Sequence, residues 1–242
     1  MTKKRIATLA TCLTLVGAVA VGGTLALLTS NTEDLQNTFA VGMGYNENNG
    51  LKLDEATVTQ EIDGSYVATD TRTEKGVNYS KLVDGTTIDK DPTVTVKANS
   101  PDSWVVAYIT NVDEAFANSD FAANNMLWYA VTKSGDNWDV ADTPVANSDI
   151  TAGYYIYKNI VPTSGTETVL PDLFEELSVD LTPEDGAAIT QVNNMDIKAC
   201  AIQAVGYDML EGVITTDATN LNQAELNEIM NSLPADFTNP VA

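Results

Sequence analysis

The 242-residue sequence contains no histidine, and its 12 lysines and arginines are set against 34 aspartates and glutamates. Without imidazole the chain cannot use Ser-His-Asp or Cys-His catalysis, His-ligated zinc or a His-Glu-x-x-His metalloprotease motif. The net charge of −22 repels phosphate backbones and anionic lipid head groups. The composition therefore excludes the familiar histidine-dependent hydrolases and argues against nucleic-acid partners.

The N-terminus has the pattern of an export signal. Lys3-Lys4-Arg5 precedes an apolar or small-residue run over 6–28, and Thr24-Leu25-Ala26 supplies an A-x-A-like exit. We predict that residues 1–26 are a signal peptide and that signal peptidase cleaves between Ala26 and Leu27. Because the run is long enough to span a bilayer, a retained signal anchor is the alternative. Cleavage removes three cations and no anion, so the net charge becomes −25 and the secreted or surface-held product has no stable membrane span.

The predicted cleavage also separates the two cysteines, Cys12 and Cys200. No internal disulfide framework can then form in the exported chain. An exposed thiol is a liability outside the cell, and Cys200 lies in the apolar run 197–205. We therefore predict that Cys200 is buried and chemically inert.

Strand-length segments rich in β-branched and aromatic residues dominate the remaining sequence, and Gly, Pro, Asn and Asp separate them. In the segment 93–97, Val94 and Val96 are expected to face the core, with Thr93, Thr95 and Lys97 facing away. Little helix and about nine strands predict a mainly β, antiparallel sandwich in one domain over 27–242. The predicted strands are 51–60, 66–71, 93–97, 103–111, 126–133, 153–158, 167–170, 173–181 and 196–207.

Two segments have the spacing of short helices. The first, 112–124, places acidic residues in its first turn and Val112, Phe116 and Ala123 near one face. The second, 221–233, follows a capping asparagine, Asn220 or Asn222, and has apolar residues at three- and four-residue spacing. We expect both helices to cover edges or ends of the sheets.

Acidic residues are the only abundant reactive side chains, so paired carboxylates and calcium are the two chemistries to weigh. A carboxylate-dependent hydrolase would draw on Asp89-Lys90-Asp91, Glu175-Glu176 or Glu184-Asp185, but the tryptophans that line glycan clefts are dispersed here. Calcium is the possible cofactor, and its weak candidate ligands share one stretch without the glycine and distal glutamate of an EF-hand loop: Asp136, Asp139 and Asp142. The alternative interpretation of that stretch is a solvated acidic loop.

Phrases spread along the sequence match those of a known family. The basic start leads through Gly22-Gly23-Thr24-Leu25-Ala26 to Asn37-Thr38-Phe39-Ala40-Val41-Gly42. A Lys-Asp-Pro turn at 90–92 precedes the apolar segments 93–96 and 104–109, and 199–207 forms a late apolar segment. In these phrases the sequence resembles the TasA/camelysin family, whose members carry a SipW-dependent-type signal peptide.

The resemblance implies a jelly-roll-like β-sandwich that is exported to the cell surface or the biofilm matrix. It further implies a non-enzymatic protein that associates with itself into fibres, or with other matrix proteins, through an N-terminal strand inserted into the neighbouring subunit. By position that strand is 27–41, with Leu28, Leu35, Phe39 and Val41 as anchors. The same segment could instead form the first strand of its own sheet. A monomeric secreted glycan- or calcium-binding module is the alternative function, and the carboxylate-dependent hydrolase is a third.

Overall fold

A computed structural model describes residues 29–31, 45, 49–123, 125–182, 189–204 and 216–238. Twelve strands and two α-helices are found there. The strands are β1 (Thr29–Asn31), β2 (Leu51–Gln60), β3 (Tyr66–Thr73), β4 (Thr87–Asp89), β5 (Thr93–Val96), β6 (Ser103–Thr110), β7 (Trp128–Ser134), β8 (Asn137–Val140), β9 (Gly153–Tyr157), β10 (Thr168–Val169), β11 (Glu176–Ser178) and β12 (Asp196–Gln203). The helices are α1 (Gln223–Asn231) and α2 (Ala235–Thr238).

The strands form two six-stranded sheets. Sheet I has the order β1-β12-β6-β9-β7-β8, and sheet II has the order β10-β5-β2-β3-β4-β11. Every pairing is antiparallel except the bridge between Tyr66 of β3 and Ile88 of β4, which is parallel. The predicted class, a mainly β antiparallel sandwich with one or two short helices, is therefore confirmed.

Sheet I is covered on both faces, which explains the near-continuous apolar sequence of β6. Val105, Ala107 and Ile109 point into an inner core, which includes Val94 and Val96 of sheet II. The alternate residues of β6 and β12 point into a separate outer core, which α1 and Phe237 close. The molecule is thus layered as sheet II, inner core, sheet I, outer core and helix.

The predicted C-terminal helix is confirmed. Asn222 is its N-cap and forms a capping box with Glu225, in which each side chain accepts a hydrogen bond from the backbone of the other residue. Leu226, Ile229 and Met230 turn the apolar stripe of the helix into the outer core. The helix packs mainly against β8, so it covers an edge strand of sheet I as expected.

Two expectations about local structure are wrong. In the described part of this segment, 112–123, the only helical turn is a 3-10 turn over Glu114–Phe116, because Ser119 and Asp120 pair with Ser178 and Asp149 instead of continuing a helix. Thr93 and Thr95 do not face solvent: their exposed fractions are 6% and 2%, because all four residues of β5 are buried and both faces of the strand are covered. Contacts with distant parts of the chain therefore determine the local structure of the first segment and the burial of the second.

The β2–β3 hairpin ends in a turn at Glu61–Ser65, where the Glu61 amide donates to the Ser65 carbonyl (2.8 Å). Ile62 at its tip is fully exposed. Gly64 has a φ of +99°, and a Cβ there would lie 2.5 Å from a methyl carbon of Val83. Only glycine fits that position, which agrees with the predicted Asp63-Gly64 turn.

Candidate functional site

The N-terminal strand β1 lies at one edge of sheet I. It pairs with β12 in the register Thr29↔Ile202, Ser30↔Ala201 and Asn31↔Cys200. On its other side β12 pairs with β6 along all eight of its residues, whereas β1 pairs with three. β1 is therefore a short edge strand beside a long strand, β12, which β6 holds on its other side. The backbone N–H and C=O groups of β12 that pair with β1 could pair equally with another strand of suitable register.

The predicted cleavage and assembly residues all lie outside the part of the chain that the structure describes. They are Ala26, Leu27, Leu28, Leu35, Phe39 and Val41. Within the predicted segment 27–41 the structure describes the β1 residues, which pair inside their own chain. The interpretation of this segment as the first strand of its own sheet therefore holds for 29–31.

The interior beside this edge is apolar. The Cys200 side chain is fully buried in the outer core, so its predicted burial is confirmed. Tyr45 is also buried, and its hydroxyl lies 2.8 Å from the Ser103 Oγ at the start of β6. Burial raises the pKa of the Tyr45 hydroxyl, and the Ser103 contact opposes that rise.

A second cluster is built around the Lys-Asp-Pro turn between β4 and β5. The preceding residue, Asp89, accepts a hydrogen bond from the Ala68 amide of β3 (2.8 Å). Lys90 forms an ion pair with Glu55 of β2, and both residues are less than one-tenth exposed. Asp91 accepts a hydrogen bond from the Ala56 amide of β2 through Oδ1 (2.6 Å). The turn ties together four strands of sheet II, a role that its sequence alone did not indicate.

Arg72 of β3 is the centre of the charges on the outer face of sheet II. Its Nε donates to Asp54 Oδ1 (2.8 Å), its Nη1 to Asp91 Oδ2 (2.5 Å) and its Nη2 to Thr93 Oγ1 (2.6 Å). Burial disfavours the charged guanidinium, but the bonds and charges of Asp91 and Asp54 outweigh it and raise the pKa of Arg72. The cluster is a hydrogen-bonded network of one cation and two carboxylates that fixes β3 against β2 and β5.

Asp172 joins the same network through Thr93, whose hydroxyl donates to Asp172 Oδ1 (2.6 Å). Burial raises the pKa of the Asp172 carboxyl, Thr93 lowers it, and the Asp91 charge raises it further. A carboxyl with a raised pKa beside an ionised one is the arrangement that acid–base chemistry uses. Here, however, both Asp91 oxygens are already bonded, one to the Ala56 amide and one to Arg72.

The other predicted carboxylate groups are not brought together. Asp136, Asp139 and Asp142 are exposed on and beyond the β7–β8 hairpin, and Glu175 and Glu176 are exposed as well. Glu184 and Asp185 lie outside the described residues. In the described ranges no group of three or more acidic or cysteine side chains could hold a metal ion.

A cleft of about 860 Å³ opens between β2 and the start of β12. Residues 51–55, 73–79 and 192–197 contribute to its walls, and the Glu55–Lys90 pair lies in it. The Tyr79 hydroxyl is buried, with no hydrogen-bond partner in the part of the chain that the structure describes. Burial raises the pKa of this hydroxyl, and the Glu55 charge adds to the rise. The buried charges of Glu55 and Lys90 in the cleft neutralise each other.

Fold and site together define an antiparallel β-sandwich with an N-terminal edge strand and an ion-paired turn. No family model matches the chain, and neither a curated protein nor a solved structure is significantly similar to it. Among the described helices none is long and apolar enough to cross a membrane.

Proposed function

We propose that the chain is an exported, non-enzymatic subunit of the cell surface or biofilm matrix, and that it polymerises by exchange of its N-terminal strand. The observation that carries this proposal is the position of β1 at the edge of sheet I, against β12. Three features of the sequence also support the proposal: the predicted export signal, the absence of histidine and the resemblance to the TasA/camelysin family.

Exchange costs little because the contact made between two chains is the one made within one chain. A strand of three residues on β12 can leave and be replaced by the same strand of a neighbour. The predicted donor segment, 27–41, has 15 residues and extends about 50 Å at roughly 3.3 Å per residue, longer than the eight-residue β12. The same pairing repeated from copy to copy gives an open chain of subunits.

The acidic surface sets the conditions for assembly. With the predicted signal removed, each subunit carries a net charge of −25, so neighbouring copies repel each other. Salt, calcium or a lower pH reduces this repulsion. We therefore expect polymers to grow faster and longer under those conditions, without a specific calcium site.

The register gives a direct test that uses the native thiol. Asn31 is the cross-strand partner of Cys200, and facing Cα atoms in such a pair are about 4.5–5.5 Å apart, within disulfide reach. In a Cys12→Ser background, Asn31→Cys/Cys200→Ala is mixed with the chain that keeps Cys200, in high salt with calcium, and then oxidised. A disulfide between the two different chains is expected, because it can form only after exchange.

The matched control is Ser30→Cys/Cys200→Ala, whose thiol is one residue away and on the opposite face of the strand. This variant should not cross-link to Cys200. A second arm compares the intact chain with one that lacks residues 27–36. Strand exchange is wrong if the Asn31→Cys mixture gives no mixed disulfide, or if the shortened chain polymerises as well as the intact one.

A further inference from the structure

The opposite edge of sheet I, β8, has two residues whose backbone N–H and C=O groups point away from the sheet, Trp138 and Val140, and α1 meets the first of them. β7 and β8 are joined by the two-residue turn Gly135-Asp136, in which Gly135 has a φ of +63°. In such a hairpin the residues that flank the turn, Ser134 and Asn137, share hydrogen bonds, and the next pair, Lys133 and Trp138, does not. The N–H and C=O of Trp138 therefore point outward, where an incoming strand would bind.

Two side chains of α1 occupy that position. The Trp138 amide donates to Asn227 Oδ1 (2.9 Å), and Gln223 Nε2 donates to the Trp138 carbonyl (2.6 Å). Gln223 Nε2 also lies 3.2 Å from Asn227 Oδ1, which joins the two amides. Together they present one acceptor and one donor, as the backbone of an adjacent strand would.

Two further hydrogen bonds join the same face of α1 to side chains of β8. Asn231 Oδ1 accepts from Trp138 Nε1 (3.2 Å), and Asn227 Nδ2 donates to Asn137 Oδ1 (3.2 Å). Gln223, Asn227 and Asn231 are spaced by four, so they form one row along α1, which we call the amide stripe. The apolar stripe beside it anchors the helix in the outer core, so the amides are held in place.

We infer that β8 is a second interaction surface, fitted to β8 of another copy of this chain, and that the amide stripe keeps it closed. An uncapped β8 would pair with the same strand of a second copy across a twofold axis, because a self-complementary edge is what an antiparallel strand provides. Asp136 and Asp139 are exposed on this hairpin and add like-charge repulsion between copies. With β8 closed, only the β12 edge of sheet I accepts strands, so copies join end to end and not side by side.

The test removes the amides and keeps the helix. Gln223→Leu/Asn227→Leu is made in the full chain, and its association is measured by light scattering in high salt. We expect dimers and larger species at protein concentrations where the unmodified chain shows none. At low concentration the Trp138 amide should exchange its hydrogen about fivefold faster, as expected for the loss of one ordinary hydrogen bond.

Glu228→Leu is the matched control, because it adds the same apolar side chain at an exposed position of the same helix. This control should behave like the unmodified chain. Gln223→Leu alone serves as a milder variant: Gln223 is exposed, and its loss leaves the Trp138 carbonyl without its donor. Equal association of the Glu228→Leu and double variants would overturn the inference, as would fast Trp138 exchange without association in the double variant, which has lost the Asn227 acceptor of the Trp138 amide.

The inference does not depend on exchange of the N-terminal strand. Deletion of residues 27–36 from the double variant should leave its association through β8 intact. The mixed-disulfide experiment can therefore fail while this one succeeds, and the reverse also holds.

Discussion

The Lys90 ammonium and the Glu55 carboxylate meet inside the sandwich, where neither residue is more than one-tenth exposed. The pair joins the turn between β4 and β5 to the middle of β2. Two charges in such a place are tolerated only as a pair, because each would otherwise lose its hydration without compensation. The two residues are therefore interdependent.

Lys90→Met should destabilise the protein by about 3–5 kcal/mol, since it leaves the Glu55 carboxylate buried without a counter-charge. Lys90→Met/Glu55→Leu should recover most of that loss. Urea denaturation at neutral pH measures both effects and the coupling between them. The control is Lys52→Met, which removes a half-exposed partner of Asp54 and should cost at most about 1 kcal/mol. Glu55→Leu alone completes the cycle, and a double variant whose loss equals the sum of the two single losses would contradict the interdependence.

Thr95→Asp should be as harmful as Val94→Asp, by several kcal/mol, because both positions are buried and an unpaired carboxylate would be trapped there. Val169 of β10 is the cross-strand neighbour of Thr95 and is 65% exposed. Val169→Asp is therefore the matched control and should be mild. Thermal denaturation of the three variants provides the comparison, and a Thr95→Asp melting temperature close to that of Val169→Asp would refute the observed burial.

These positions show where sequence patterns suffice and where they fail. Clusters of β-branched and aromatic residues at strand length located β2, β6 and β12 well. Period-two alternation placed Val94 in the core, because side-chain direction in a strand is a local property. Alternation also predicted an exposed Thr95, and that failed because exposure depends on what covers the second face. Strand β4 is too short to leave a pattern, and the side-chain hydrogen bonds that Lys90 and Asp91 form with β2 and β3 join residues 19 to 35 positions apart in the chain.

The site was only partly visible for the same reason. The Lys-Asp-Pro turn stood out as a phrase, but its three links to β2 and β3 need the folded sheet. The amide stripe had a readable signal, one Gln or Asn every four residues beside the apolar stripe of a helix. What such a stripe binds depends on packing against β8, which no local rule gives.

Cys200 should react slowly with a bulky thiol reagent in the native protein, because its side chain is fully buried. Cys12→Ser leaves Cys200 as the single thiol of the chain for this measurement. Reaction should become fast and stoichiometric once urea unfolds the protein. Rapid labelling without denaturant, or a disulfide-linked dimer as the main species, would show that the thiol is accessible.

The protein should unfold in alkali as its buried and half-buried tyrosines ionise. Burial raises the pKa of Tyr154 to about 12, and burial also raises the pKa values of Tyr155 and Tyr157. Because the folded-state pKa values lie above the unfolded value near 10, the stability these groups contribute is complete below pH 10 and is lost as the pH rises toward 12. Tyrosinate absorbance and circular dichroism should therefore change together. Complete tyrosine ionisation with an unchanged dichroism spectrum would contradict this.

The tip of the β2–β3 hairpin is a site at which a label or a second domain can be attached to the protein. Ile62 has no contact to lose, while Gly64 and the Glu61–Ser65 hydrogen bond hold the turn on either side of it. The tip also belongs to sheet II, whereas the strands assigned to assembly and its control, β1 with β12 on one side and β8 on the other, lie at the two edges of sheet I. A fluorophore, an affinity tag or a whole cargo domain attached between Ile62 and Asp63 would therefore be displayed on every subunit without occupying either edge.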